Sequence, residues 1–257
     1  MLSRTFRIAF FAIAVAGRSL AQITPVAPEP AAEFKLDTSL VYTRGSYGLP
    51  ADTDIFIALV SPTYEATDWR LQAMLPYVWL NGPASVVGNA GTSLVSRHES
   101  GVGDASIAGA WKFIQGTDGW NASLGAKVKL PTADDTKGLG TGKIDTAFEA
   151  DVSRKLGSLT PFGTLGYEFL GESERYPMKD GLFATAGVVA TTSEKTSVGI
   201  AGNWRQPTIS GGSSAAELMG FFQEKITATS HIQIFILHGY TDASPEIAVG
   251  ATLGLAF

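Results

Sequence analysis

Apolar and polar positions alternate along most of this chain, most clearly in its last eleven residues. Ile247, Val249, Ala251, Leu253, Leu255 and Phe257 form an apolar set, and the positions between them (Ala248, Gly250, Thr252, Gly254, Ala256) are all small. A period of two predicts a strand with one greasy face. In water such a strand, ending on an aromatic residue, would be a sticky edge. In a barrel that pairs its last strand with its first, the edge disappears. The alternative is the final strand of a soluble sandwich.

The same alternation recurs from Glu33 onward, with turn signals between runs. Phe34, Leu36, Thr38, Leu40 and Tyr42 share one face of the first predicted strand. A second strand near Asp54–Ser61 is apolar on both parities, so its facing stays open. Trp69 to Trp79 supply a third, Ile107 to Phe113 a fourth, Trp120 to Leu130 a fifth and Ile144 to Val152 a sixth. Further runs cover Thr160–Leu170, Gly181–Thr191, Thr196–Arg205, Ala215–Ile226, His231–Tyr240 and Glu246–Phe257. The prediction is all-β: a transmembrane antiparallel up-and-down barrel of about 12 strands, near the ~9–11 residues that a tilted membrane strand needs. Ser214–Ile226 also fits an amphipathic helix.

The connections carry their own signal. Odd-numbered ones (45–53, 81–103, 131–143, 171–180, 206–212, 241–244) are mostly longer than even-numbered ones (63–68, 116–119, 157–158, 192–195, 227–230). Long outer loops alternating with short periplasmic turns suit an outer-membrane barrel, and a sandwich gives no reason for them. All five tryptophans fall on the apolar parity near strand ends. Trp69, Trp111, Trp120 and Phe257 gather at the expected periplasmic rim. Tyr42, Tyr77, Trp79, Tyr167, Trp204 and Tyr240 gather at the outer rim. Two aromatic girdles are expected where amphipathic rings meet lipid headgroups.

Residues 1–21 read as a secretory signal peptide: Arg4 and Arg7, an apolar core over Ile8–Ala16, and small residues at Ser19 and Ala21 before a cleavage point. Residues 22–32, with three prolines, read as an extended leader, and 33–257 as one barrel domain. Loss of residues 1–21 removes three arginines and no acids, taking the net charge from −5 to −8. An acidic exported chain is a poor nucleic-acid binder. There is no cysteine, which excludes disulfides, thiolate metal sites and a cysteine nucleophile. Glycine, at 29 residues, exceeds the usual ~7 %, and charged residues, at 17 %, fall below the usual ~25 %. Beyond residue 21 no apolar run approaches a spanning helix.

Chemical motifs are few. Gly138–Lys143 superficially resembles a phosphate loop, but Lys137 and Ile144 stand where Gly and Ser/Thr are required. Asp134, Asp135 and Asp145 lack the alternating ligand spacing of a calcium loop and read as solvated turn acids. His98 lies in the longest loop. His238 sits on the outward parity near the outer rim, but its same-face neighbours Ile236 and Tyr240 offer no serine partner for a lipid-hydrolysing pair. No catalytic residue, metal site or cofactor is assigned.

The inward parity is richer. Lys35, Arg70, Lys127, Lys129, Asn203 and Arg205 accompany Asp37, Asp145, Glu149, Asp151, Glu168, His231 and Gln233. Charges facing away from lipid imply water or mutual pairing. Lys127 and Lys129 face Asp145 and Glu149 across one hairpin, a geometry in which cross-strand pairs interact. One reading is a salt-bridged interior that holds the wall together. The favoured one is a wet, charged lining that orients a solute, because 12 strands enclose a bore between the packed and open extremes.

Leu75-Pro-Tyr-Val-Trp-Leu-Asn-Gly82, followed by Ser100-Gly-Val-Gly-Asp-Ala-Ser-Ile-Ala-Gly-Ala-Trp-Lys112, resembles the outer-membrane transporter family named for the meta-cleavage pathway of phenol degradation. Gly125–Thr132 and Gly138–Asp145 extend the resemblance, which reaches over about 33–257. Val102 and Ala105 are small departures from the family pattern. The resemblance implies a porin-like role in solute uptake in the outer membrane of a Gram-negative bacterium and transfers no catalytic residue. Expected partners are outer-membrane lipid, a small solute (aromatic ones included), and the barrel assembly machinery, through the strand ending in Phe257. The competing readings are a non-conducting structural or display barrel using Asn81–Gly103, and a lipid-modifying barrel built on His238.

Overall fold

A computed structural model of the protein describes residues 32–85, 97–172, 178–209 and 211–257. The predicted signal peptide and all of the leader but Ala32 lie outside the described residues. Thirteen strands run in order: β1 Ala32–Gly45, β2 Thr53–Ala66, β3 Trp69–Gly82, β4 Arg97–Val102, β5 Ser106–Gln115, β6 Trp120–Lys129, β7 Asp145–Arg154, β8 Leu159–Phe169, β9 Gly181–Thr191, β10 Thr196–Arg205, β11 Ala215–Lys225, β12 Ser230–Gly239 and β13 Ile247–Ala256. All pairings are antiparallel and neighbouring, and β1 joins both β2 and β13. With β2 also paired to β3, the sheet closes on itself.

The barrel has twelve staves because β4 and β5 share one. β4 pairs with the outer part of β3 (Tyr77–Gly82) and β5 with its periplasmic part (Trp69–Met74). Between them Leu75 and Pro76 of β3 face three residues, Gly103, Asp104 and Ala105. This extra residue works as a bulge does, bending the strand and re-aiming a side chain. Pro76, opposite the break, has no N–H to give, but its carbonyl accepts from the Gly103 N–H at 2.9 Å. The expected loop 81–103 is therefore shorter, since Arg97–Val102 is strand. The expected turn 63–68 shrinks in the same way, because β2 runs on to Ala66. Ser214–Ile226 is strand over Ala215–Lys225, so the helix alternative fails.

Large apolar side chains such as Leu40, Leu75, Ile107, Phe148, Leu165 and Ile236 stand exposed on the outer surface, while their sequence neighbours face in. An aqueous protein would hide such a surface; hydrocarbon favours it. Closure is complete at the seam. Lys35 to Arg44 of β1 pair in register with Ala256 to Ile247 of β13, and the Phe257 N–H reaches the Phe34 carbonyl at 2.9 Å. The Phe34 and Phe257 rings meet with centroids 6.1 Å apart.

Glycines on the inner face act as notches. The ring of Phe183 lies over Gly166, Phe162 over Gly187, Phe221 over Gly199 and Phe235 over Gly250, so that any β-carbon there would overlap the ring. Gly220, on the lipid face, has open space beside it. Gly199→Ala is expected to lose about 1–3 kcal/mol through overpacking, whereas Gly220→Ala should stay within about 0.5 kcal/mol of the parent. Reversible urea unfolding from lipid vesicles checks both.

Candidate functional site

The interior is the one concave surface that every stave builds. Its residues sort by height because a stave presents only alternate side chains inward. All the inward-parity residues named above face the interior: Lys35, Asp37, Arg70, Lys127, Lys129, Asp145, Glu149, Asp151, Glu168, Asn203, Arg205, His231 and Gln233. The aromatic set Tyr42, Trp69, Tyr77, Trp79, Trp111, Trp120, Tyr167, Trp204, Tyr240 and Phe257 points away from it.

The inward charges are largely paired. Lys129 sits directly opposite Asp145, with its ammonium 2.6 Å from that carboxylate and 3.1 Å from Asp104. Arg205 reaches Glu168 at 3.4 Å, and Lys112 pairs with Glu65. Asp151 accepts hydroxyl hydrogen bonds from Thr164 at 2.6 Å and Ser123 at 3.3 Å. Such pairs lower the cost of charge next to a low-dielectric wall without adding much net stability.

Asp104, Lys112 and Glu65 escaped the sequence reading. Asp104 is turned inward by the bulge, which no period-two pattern registers. There it accepts from Ala133 N–H at 3.1 Å and Thr141 N–H at 3.4 Å, while Thr132 Oγ1 donates to the Gly103 carbonyl and accepts from Ala105 N–H, both at 2.8 Å. Lys129 adds a bond to Thr141 Oγ1 at 2.7 Å. Together these contacts latch loop 130–144 to the inside of the wall. At Gly140 a side chain would stand 2.6 Å from both Asp104 carboxylate oxygens, and Gly138 ends a short 3₁₀ turn at Asp135–Lys137 with φ 75°, a left-handed conformation suited to glycine. Asp134 caps that turn through Thr136 N–H and Oγ1, and the Thr136 hydroxyl holds its carboxyl below the usual carboxylate range. Asp134 and Asp145 are thus engaged with different partners.

The latch drops Leu139 into the barrel, where it packs on Val41, Ile55, Ile57, Val78 and Leu80. Phe235 touches this group and a second one made of Val189, Ala201, Ala215, Met219, Phe221, Leu237, Ala243 and Ala248, so an apolar belt runs round much of the interior. The belt was not foreseen. On strands apolar on both parities, such as β2 and β11, the lipid and lumen faces cannot be told apart by hydrophobicity.

Above the belt, loop 46–52 turns Tyr47 inward against Ala84 and Leu49, at φ 50°. Burial pushes its phenol pKa up, against a smaller opposing effect of the hydrogen bond with Thr43 Oγ1 at 3.1 Å, so it stays neutral. His238 lies on the outer surface, its Nδ1 2.7 Å from the Glu246 carbonyl and its ring edge-on to Tyr240.

Residues 33–257 match the family described as "Putative MetA-pathway of phenol degradation". The chain belongs to that family. Among curated protein sequences none matches. Several solved barrels share the fold. KdgM porin, determined in complex with disordered oligogalacturonate, superposes with a TM-score of 0.55 at 7% identity over 87% of this chain and 98% of that one. The translocator domain of the autotransporter NalP from Neisseria meningitidis gives 0.54 at 11% identity, over 97% and 99%. The CymD monoaromatic hydrocarbon channel gives 0.50 at 8% identity, over 99% and 94%. At these identities the likeness is one of fold, and the fold is that of outer-membrane barrels. Within the family match, Gly101–Asp104 and Gly138–Lys143 are the segments that build the latch.

Replacing Asp104 by Ala is expected to free loop 130–144 while the barrel stays folded, since Lys129 keeps Asp145. Tryptic cleavage after Lys137 or Lys143 in refolded protein should speed up about tenfold, as expected when local opening becomes easier by ~1.4 kcal/mol.

Proposed function

We propose that this protein is an outer-membrane channel for small, partly apolar solutes, aromatic ones included, exported through its first 21 residues and inserted by way of its terminal strand. The observation that carries this reading is the apolar belt inside a closed barrel, with polar side chains above and below it. A water-filled porin needs no belt. A barrel serving only as an anchor needs no loop held inward by Asp104 and Lys129. Phe162, Phe221 and Phe235 place the far ends of their rings in glycine notches, which keeps bulk out of the bore. An apolar solute would exchange contacts with such rings one after another, binding each weakly enough to leave. The charged residues at both ends would hydrate the entry and exit. CymD is a monoaromatic hydrocarbon channel of the same fold, which is consistent with this path.

A non-conducting barrel is the second reading, and one observation favours it: Tyr47 and Leu139 are both buried at the outer end. Conductance separates the two. In planar bilayers the mature protein is expected to give discrete current steps, reduced by an aromatic solute, and Leu139→Ala should raise the unit conductance. Absence of steps from both proteins, with folding shown by heat-modifiable gel mobility, would favour the closed barrel.

A further inference from the structure

The belt ends, on the periplasmic side, at a band of amide, hydroxyl and acidic side chains that the current path alone does not explain. Gln72, Thr63, Asp37, His231, Gln233 and Gln223 all point inward from five staves, β3, β2, β1, β12 and β11, with β13 lying between β1 and β12. Each lies within six residues of the periplasmic end of its strand. The staves are continuous here: Gln223 pairs directly with Gln233, Thr63 with Gln72, and Asp37 and His231 both pair with Gly254, over which their side chains meet.

Among the described residues, four of the nine buried side-chain atoms without a hydrogen-bond partner lie in this band. Gln72 Oε1, Thr63 Oγ1 and Gln223 Oε1 are buried oxygens with no protein partner, and His231 Nε2 is buried without one as well. The residues Gln72, Thr63 and Gln223 are only 2%, 5% and 7% exposed. An unpartnered buried oxygen forfeits the hydrogen bonds it made in water, and side chains of a protein wall normally arrange themselves to avoid that. Three such oxygens on one band, at the foot of an apolar belt, form a surface that rewards hydrogen-bond donors.

We propose that this band is a donor-recognising subsite. It takes a neutral solute with an apolar body and a hydroxyl or amine group, the body held against the belt and the donor group meeting either the paired Gln72 and Thr63 or, beside Phe235, Gln223. The inference rests on the channel reading above and narrows its solute class. A pure hydrocarbon would leave the oxygens unmet. A carboxylate only accepts hydrogen bonds and has no proton to give them.

The test is equilibrium binding to refolded barrel in detergent, by calorimetry with empty micelles subtracted, using benzyl alcohol, toluene and benzoate. The wild type should bind benzyl alcohol about tenfold more tightly than toluene or benzoate, the discrimination expected from one or two added hydrogen bonds. The double variant Gln72→Leu/Gln223→Leu removes two of the three oxygens and keeps similar volume, so it is expected to fold; far-ultraviolet circular dichroism and gel mobility check this. In it, most of the advantage of benzyl alcohol over toluene should be lost. If the alcohol keeps its advantage in the folded double variant, or shows none in the wild type while toluene binds, water alone serves these oxygens and the subsite is overturned with the channel intact. If none of the three solutes binds the wild type and no current flows, the channel reading itself falls.

Discussion

In a bilayer, each backbone N–H and C=O must find a partner within the protein, because hydrocarbon offers none and each unmet group costs several kcal/mol. The pairing of β1 with β13 meets that demand, and the rest of the molecule depends on it. Once Lys35 to Arg44 are registered on Ala256 to Ile247, the sheet has no edge facing lipid and every stave has two neighbours. Closure also fixes which parity of each strand meets lipid and which meets the interior. A slip of one residue at the seam would turn Asp37 and Ser39 outward and Leu36 and Leu40 inward.

With closure settled, the interior is shaped by two devices that trade side-chain bulk against space. Glycine notches let phenylalanine rings lie along the wall, and the bulge at Gly103–Ala105 turns Asp104 inward to hold loop 130–144. Both are local irregularities with long reach. The first keeps aromatic surface in the bore without filling it. The second carries Leu139 from the rim to the belt. Two of the segments that resemble the family, Ser100–Lys112 and Gly138–Asp145, contribute Asp104, Leu139, Thr141 and Asp145 to this latch.

Much of the fold was legible because membrane barrels write their pattern into alternate positions. The terminal strand, the tryptophan-bearing strands and the alternation of long and short connections were all readable. The signal failed where its premise failed. β2 and β11 carry Ile55, Ile57, Met219 and Phe221 inward as well as Phe56, Leu218 and Phe222 outward, so parity gave no facing and β11 could pass for a helix. The ion pair between Lys129 and Asp145 could be anticipated from hairpin geometry, whereas its third partner, Asp104, could not, since a bulge leaves no mark on hydrophobic periodicity. The belt escapes the pattern for a related reason: alternation equates apolar with lipid-facing, and a lumen that is itself partly apolar breaks that equation.

The central claim is that solute moves along the inner face, past the belt. Because the chain has no cysteine, single cysteines can be placed without background. The most direct measurement is the effect of a water-soluble, membrane-impermeant thiol reagent on current through Thr252→Cys, which faces inward below the belt, and Ala251→Cys, its lipid-facing neighbour. Reagent is expected to lower the current through the first and leave the second unchanged. Equal block at both positions, or no reaction at Thr252→Cys in a conducting barrel, would contradict it.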